Sequence, residues 1–359
     1  MSAGRESAEG PQVLTMTRLL AGFQLSQALY VVARLDLATA LLAGPRSVDD
    51  LAACLECDAG MLRRLLRDLA GLGVFADEGD DVYSVTPLGA TLARGVAGSV
   101  RDLALSWMET HYAPFAGLVD TVRTGVPAAT AYYGRPFFDW LSGEPEQGRR
   151  FTGAMADVTA ALKADLLRNY RLPEGATVVD VGGADGSVSA QLIGDEPGRR
   201  AVVFDLPHVV AEVRASTRAS IQASIQASIR AETGDGTAGR AEFVAGDFFE
   251  SVPTADVYLL SAILHDWDDE ACARILGNIA AAARAGARLV VIEMVLPEDG
   301  NEPHLARGTD LIMMAMLTGR ERTPREYASL LSRAGFTFDR VVPGPSGNPY
   351  SVVEATLRS

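Results

Sequence analysis

The segment from Thr177 to Gly186 constrains the fold more than any other. The β-branched run Thr177-Val178-Val179-Asp180-Val181 gives way to Gly182-Gly183-Ala184-Asp185-Gly186 and then to helix-like sequence, which predicts a strand, a tight glycine turn and a helix start. Three further apolar runs each lead to residues with chemistry to offer. Ala201-Val202-Val203-Phe204 ends on Asp205, Glu242-Phe243-Val244-Ala245 on Gly246-Asp247-Phe248, and Asp256-Val257-Tyr258-Leu259-Leu260 runs toward Leu264-His265-Asp266-Trp267. Strands alternating with helices from about Leu172 predict an α/β, doubly wound, Rossmann-like sheet. Arg288 to Glu293 supplies another strand, and Phe336 to Val342 with Ser351 to Leu357 are close enough to pair as a hairpin. Ligands of such sheets bind outside the carboxyl ends of the strands, so Asp205, Asp247, Phe248 and His265 would share one rim.

Upstream the pattern differs. Ser47-Val48-Asp49-Asp50 reads as a helix cap, Met61 to Leu72 carries a helical apolar stripe, and Val82-Tyr83-Ser84-Val85 reads as one strand of a wing. Residues 1–100 are therefore expected to form a mostly α winged-helix domain, 101–171 a helical linker contributing to a substrate pocket, and 172–359 the sheet domain. The linker is rich in rings, among them Tyr132, Tyr133, Phe137, Phe138, Trp140 and Phe151. Some would wall a pocket for a flat, apolar molecule, while more than half would be ordinary core. From Ala215 to Arg230 a tetrapeptide repeats and sets Ile221, Ile225 and Ile229 four residues apart, which predicts a longer helix between the second and third strands, with a partner surface as the other reading.

A chain of 359 residues, 48% of them hydrophobic, has room for two cores. Its formal net charge of -14 opposes binding to a polyanion, so no nucleic-acid partner is expected. Arg63, Arg64 and Arg67 give one helix of the winged domain some positive charge, but Asp77, Glu78, Asp80 and Asp81 follow at the wing. No apolar run reaches the roughly 18 to 20 residues of a membrane span, and Met1 to Gly10 is polar, which predicts a cytoplasmic protein with no membrane partner. Three cysteines cannot all pair, and Cys54-x-x-Cys57 lacks the second pair that zinc needs, so both are expected to pack in a helix.

The rim can be read residue by residue. An acid at the tip of the second strand suits a ribose diol, an acid beside a ring suits adenine, and His265 is the candidate base. The glycine turn does not supply the G-x-G-x-x-G of dinucleotide sites. Its spacing, Asp180-x-Gly182-x-Ala184-x-Gly186, resembles instead the turn of class I methyltransferases that use S-adenosylmethionine, with Ala184 in place of the usual middle glycine. Ala184 restricts φ at that point. Phe204-Asp205-Leu206-Pro207-His208-Val209, Gly246-Asp247-Phe248-Phe249 and Leu264-His265-Asp266-Trp267-Asp268-Asp269-Glu270 are similar to successive motifs of the small-molecule O-methyltransferases, which include plant caffeic-acid and flavonoid enzymes and bacterial polyketide-tailoring enzymes. Val291-Ile292-Glu293-Met294-Val295-Leu296-Pro297 and Gly319-Arg320-Glu321-Arg322-Thr323 continue the series.

The resemblance covers nearly the whole chain, because that family also has an N-terminal winged-helix dimerisation domain, and it implies a homodimer. It implies that Asp180, Gly182, Asp205, Leu206, Asp247, Phe248 and Ser261 hold S-adenosylmethionine, with Gly182 at the methionine part, Asp205 at the ribose hydroxyls, and Asp247 and Phe248 at the adenine. His265 would be the general base, with Glu293 and Glu321 flanking it to orient and polarise the imidazole. Phe151, Met155, Asp266 and Trp267 would line the acceptor pocket. Ser261 stands where many plant members have a lysine near the cofactor. No metal is implied. A phenol, with a pKa of about 10, is a poor nucleophile until a base takes its proton, and imidazole, at about 6.5, is suited to that work. The expected function is methyl transfer from S-adenosylmethionine to a phenolic hydroxyl of an aromatic natural product. One alternative is an enzyme of the same fold redirected to hydroxylation, decarboxylation or cyclisation, which the retention of His265 disfavours. The other is a ligand-responsive DNA-binding protein, which the acidity disfavours.

Overall fold

The computed structural model describes residues 9–194, 196, 198–215, 241–345 and 347–358. The chain divides into two compact units, one made of Met1–Ala113 with Gly153–Asp157 and one of Pro114–Thr152 with Val158–Ser359.

In the first unit, helices Val48–Leu55 and Ala59–Gly71 start where short polar side chains can take the free N–H groups. Ser47 accepts from Asp50 N at 3.2 Å and Asp58 from Met61 N at 2.8 Å. Leu62, Leu66 and Leu69 recur at helical spacing, and this stripe packs with Val32, Leu37, Leu51 and Phe75 in one buried cluster. Strands β1 (Arg46–Ser47), β2 (Phe75–Gly79) and β3 (Val82–Val85) form a small antiparallel sheet in the order β1-β3-β2. Arg63 Nε donates to Asp81 Oδ1 at 2.9 Å, so the acidic wing draws in part of the helix's positive charge. One expectation is corrected here. Glu56 turns left-handed, with φ of 55°, and ends the helix, so Cys57 lies beyond it and Cys54 is exposed rather than packed.

The second unit is built on a seven-stranded sheet: β4 (Thr177–Val181), β5 (Arg200–Asp205), β6 (Ala241–Ala245), β7 (Val257–Ser261), β8 (Arg288–Met294), β9 (Phe336–Pro343) and β10 (Tyr350–Leu357). Their order is β6-β5-β4-β7-β8-β10-β9. The first five run parallel, and β10 pairs antiparallel with both β8 and β9, which makes β9 and β10 the expected hairpin. Parallel strands covered on both faces need near-continuous apolar sequence, and β4 and β7 provide it. The chain steps outward from β4 to β6 and then returns to β7 on the other side. The carboxyl ends of β4 and β7 therefore flank the switch point of the sheet, where open α/β folds bind ligands. After Ala215 the isoleucine repeat lies outside the described residues. Among the described residues no helix is long and apolar enough to cross a membrane.

Candidate active site

The turn after β4 is shaped for a close approach of backbone to ligand. Gly182 has φ of +70°, a conformation strained for any residue with a side chain, and a Cβ there would also push on Ile263 Cδ1 at 2.4 Å. Ala184 also takes a left-handed conformation, with φ of 47°, at a cost of about 1 kcal/mol for a residue with a Cβ. Its N–H donates to Asp205 Oδ2 at 2.8 Å, which ties the strained residue to the tip of β5. Asp205 Oδ1 accepts from Leu206 N at 2.7 Å. Each of these oxygens keeps a further lone pair for a hydroxyl. Burial raises the Asp205 carboxyl above its ordinary range.

Asp180 is 1% exposed, and a Cβ on Gly183 would fall 2.6 Å from its Cγ. It therefore lies under the turn and supports it. Burial pushes its carboxyl up to about 6, with Ser189 and Lys163 pulling the other way. Asp247 Oδ1 accepts from Phe249 N at 2.7 Å. The Phe248 ring meets Phe249 edge-on at 4.9 Å and lies beside Gly182.

His265 sits in a single 3-10 turn, Leu264–Asp266, just past β7. Ala262, left-handed with φ of 58°, swings the chain into that turn. Two buried carboxylates serve it in different ways. Glu321 Oε1 lies 2.8 Å from His265 Nδ1, so it contacts the ring directly. Glu293, on β8, turns to the main chain. Its Oε1 accepts from the N–H groups of Ile263, Leu264 and His265 at 3.1, 2.7 and 3.2 Å, and its Oε2 accepts from the Tyr327 hydroxyl. Glu321 thus meets the ring itself, whereas Glu293 meets the main chain of the turn that carries it and adds to the charge that raises the imidazole.

On the other side of the ring, Asp266 Oδ1 is 3.4 Å from Nε2. Burial lowers the basicity of His265, but the Asp266 and Glu321 carboxylates and the Glu321 hydrogen bond outweigh it and raise the imidazole to about 10. Asp266 is itself pushed up to about 7, by burial first, with His265 opposing and Glu293 adding to the shift. The following helix, Asp269–Ala282, is capped by Asp268 through Ala271 N at 2.8 Å, so His265 has no capping role.

Three side chains that the sequence reading passed over complete the rim. Arg322 is fully buried and donates to Leu264 O at 2.8 Å, Trp267 O at 2.9 Å and Asp269 Oδ1 at 2.9 Å, pinning the segment around His265 from both ends. Its signal was present, since it lies inside the Gly319 to Thr323 motif. Gly319 is required there because a Cβ would stand 1.9 Å from His265 O. Tyr327 closes the Glu293 network, and Lys163 Nζ donates to Ser261 Oγ at 2.8 Å.

Trp267 packs on Phe249 at 4.7 Å and on Phe138 at 5.8 Å, and Phe138 meets Phe151 edge-on at 6.0 Å. Phe151 and Trp267 are therefore joined through one ring. Phe137 is buried with Leu141 and Met316 in a core cluster, and Tyr133, Phe138, Trp140 and Phe151 pack against it half-buried. Met155 falls among residues 153–157, which belong to the first unit.

Known proteins resemble this chain along nearly its whole length. Residues 115–337 match the model of the O-methyltransferase domain, and residues 17–95 match that of the O-methyltransferase dimerisation domain. A phenazine O-methyltransferase from Lysobacter antibioticus is 34% identical over 99% of both chains. A phenazine-1-carboxylate N-methyltransferase from Pseudomonas aeruginosa is 31% identical over 92% of this chain and 93% of its own. Among solved structures, an O-methyltransferase from neocarzinostatin biosynthesis, in complex with S-adenosylmethionine and 2-hydroxy-5-methyl naphthoic acid, superposes with a TM-score of 0.75 at 30% identity, covering 93% of this chain and 96% of that one. The chain belongs to the O-methyltransferases that take their methyl group from S-adenosylmethionine and carry an N-terminal dimerisation domain.

Proposed function

We propose that the protein methylates a phenolic hydroxyl of an aromatic natural product, as a homodimer, with His265 as the general base. The observation that carries this reading is the imidazole on the switch-point rim, oriented through Nδ1 by a buried carboxylate at 2.8 Å. The residues present fit the cofactor: Gly182, left-handed and without a side chain, leaves backbone open to a ligand, and each Asp205 oxygen, accepting one N–H, keeps a lone pair for a hydroxyl. Gly182, Asp205, Leu206, Asp247, Phe248 and Ser261 would hold the cofactor, with Asp180 beneath them. When bound, it supplies an electrophilic methyl carbon on a sulfonium centre. Phe151, Asp266 and Trp267 would line the acceptor site.

Glu321 accepts a hydrogen bond from the Nδ1 proton, which stays on the ring, and leaves Nε2 to face the acceptor. An ordinary imidazole is about 3.5 units less basic than a phenolate, so drawing off the phenol proton would be uphill by about 4.8 kcal/mol. With His265 raised to about 10, the proton is shared on nearly equal terms. At neutral pH His265 then carries a proton before the acceptor arrives. Enzyme and phenol together must therefore lose one proton, whichever of them releases it. Asp266, 3.4 Å from Nε2, steadies the imidazolium that remains while the acceptor oxygen attacks.

The test is transfer of labelled methyl from S-adenosylmethionine to a panel of hydroxylated anthraquinones, naphthoates and flavonoids, by wild type and by His265→Ala. Transfer by wild type, reduced in the variant by about 10² to 10⁴, is expected. No transfer to any acceptor despite tight cofactor binding, or equal transfer by the variant, would overturn the reading.

A further inference from the structure

The sequence contains 31 arginines and a single lysine, Lys163, and that lysine is 4% exposed. An ammonium gives up strong hydration on burial, so its position calls for a ligand or a partner. It closes a π-helical turn, Thr159–Lys163, set between helices Pro145–Val158 and Ala164–Asn169. A π turn inserts one residue into the helix, and such insertions recur at functional sites. This one is held by Asn348, whose side-chain amide donates to Leu162 O at 2.8 Å. Lys163 Nζ donates to Ser261 Oγ at 2.8 Å and stands 5.0 Å from the centre of the Tyr350 ring. Ser261 ends β7, and β7 pairs with β4, which leads into the glycine turn, so the ammonium lies at the switch point itself.

An ammonium carries three N–H donors, and Ser261 accepts one of them with a neutral hydroxyl. Asp180, Glu293, Asp266 and Asp185 all favour its charge from a distance, yet burial dominates and lowers it to about 8. The other ionisable groups of the rim are mostly acids: Asp180, Asp205, Asp247, Asp266, Glu293 and Glu321. They suit the sulfonium and the α-ammonium of the cofactor and repel its carboxylate. Of the other cations, Arg322 is engaged by Leu264, Trp267 and Asp269, and His265 by Glu321 and Asp266.

We propose that Lys163 is the counter-ion for the carboxylate at the methionine end of the cofactor, positioned by Ser261 and the Tyr350 ring. The proposal rests on the cofactor placement given above, and not on the acceptor or on the role of His265.

Calorimetry of the full chain with S-adenosylhomocysteine and with its decarboxylated analogue tests it. Wild type should bind the analogue about 10- to 100-fold more weakly, as loss of a charged hydrogen bond requires. Lys163→Met should bind S-adenosylhomocysteine weakly to the same degree and the analogue almost as wild type does. Equal weakening of both ligands by the substitution would make Lys163 a structural support and overturn the proposal, as would no weakening of either. Should the variant not fold, wild type grown with Cε-labelled lysine offers one side-chain lysine resonance. Its titration should move to higher pH with S-adenosylhomocysteine and not with the analogue, and identical titrations with the two would refute the proposal. Asp205→Ala separates the two levels: if it leaves S-adenosylhomocysteine affinity intact, the cofactor placement itself fails.

Discussion

Glu321→Gln isolates charge from orientation at the base. The amide carbonyl can still accept the Nδ1 proton of His265 across the 2.8 Å contact, so the tautomer is kept while the negative charge is removed. His265 is raised to about 10 by Asp266, by Glu321 through both charge and hydrogen bond, and by Glu293, against the opposing effect of burial. An opposite charge at this range typically moves a pKa by about 1 to 3 units. The variant should therefore titrate about 1 to 3 units lower, equivalent to about 1.4 to 4 kcal/mol.

The sign for catalysis follows. Below its pKa the base is occupied, so wild-type activity should climb with pH through neutrality into the alkaline range. The variant should level off earlier, at a plateau about 3- to 30-fold lower if half of the lost basicity is felt in the transition state. On the acid limb the two profiles should converge or cross. The chain has only four histidines, so Cε1-labelled histidine resolves His265 directly in the S-adenosylhomocysteine complex, and kcat/KM profiles give the kinetic counterpart. An unmoved His265 titration with an intact fold would refute the assignment of Glu321 as its electrostatic partner.

Other outcomes follow from the same network. Glu293→Ala leaves three main-chain N–H groups and the Tyr327 hydroxyl without their acceptor, and should cost about 3 to 5 kcal/mol in denaturant unfolding. Glu293→Gln should cost less and leave the His265 titration nearer to wild type than Glu321→Gln does. Asp205→Ala should weaken S-adenosylhomocysteine about 10- to 100-fold by calorimetry, since it removes both the ribose acceptor and the tie to Ala184 N. Ala184→Gly relieves a left-handed alanine but frees the unfolded chain, so thermal unfolding should report a net change within about 0.5 kcal/mol. A loss well above 1 kcal/mol would mean that the methyl group packs usefully.

Strand positions and the residues at their tips were legible because period and punctuation are local properties. The β4 run, its glycine turn and the acid ending β5 are each contained in a few consecutive residues. What pattern could not give was which oxygen meets which hydrogen. Glu293 sits one residue beyond Ile292, the β8 partner of Ser261 at the end of β7, and its carboxylate meets the N–H groups of the next turn rather than the ring. Arg322 escaped because its partners, Leu264 O and Trp267 O, are main-chain atoms more than fifty residues away, which leave no trace in side-chain chemistry. Lys163 lies inside an amphipathic helical stretch, where a basic residue reads as surface, and the π turn that carries it has no sequence signature.

The most direct measurement is single-turnover methyl transfer to a ladder of phenols of decreasing pKa, by wild type and by His265→Ala. If His265 serves to remove the acceptor's proton, the variant should lag by about 10² to 10⁴ on weakly acidic phenols. That gap should close toward unity on phenols already ionised at the assay pH. A gap that stays constant along the ladder would contradict the account, because it would show His265 contributing something other than proton removal.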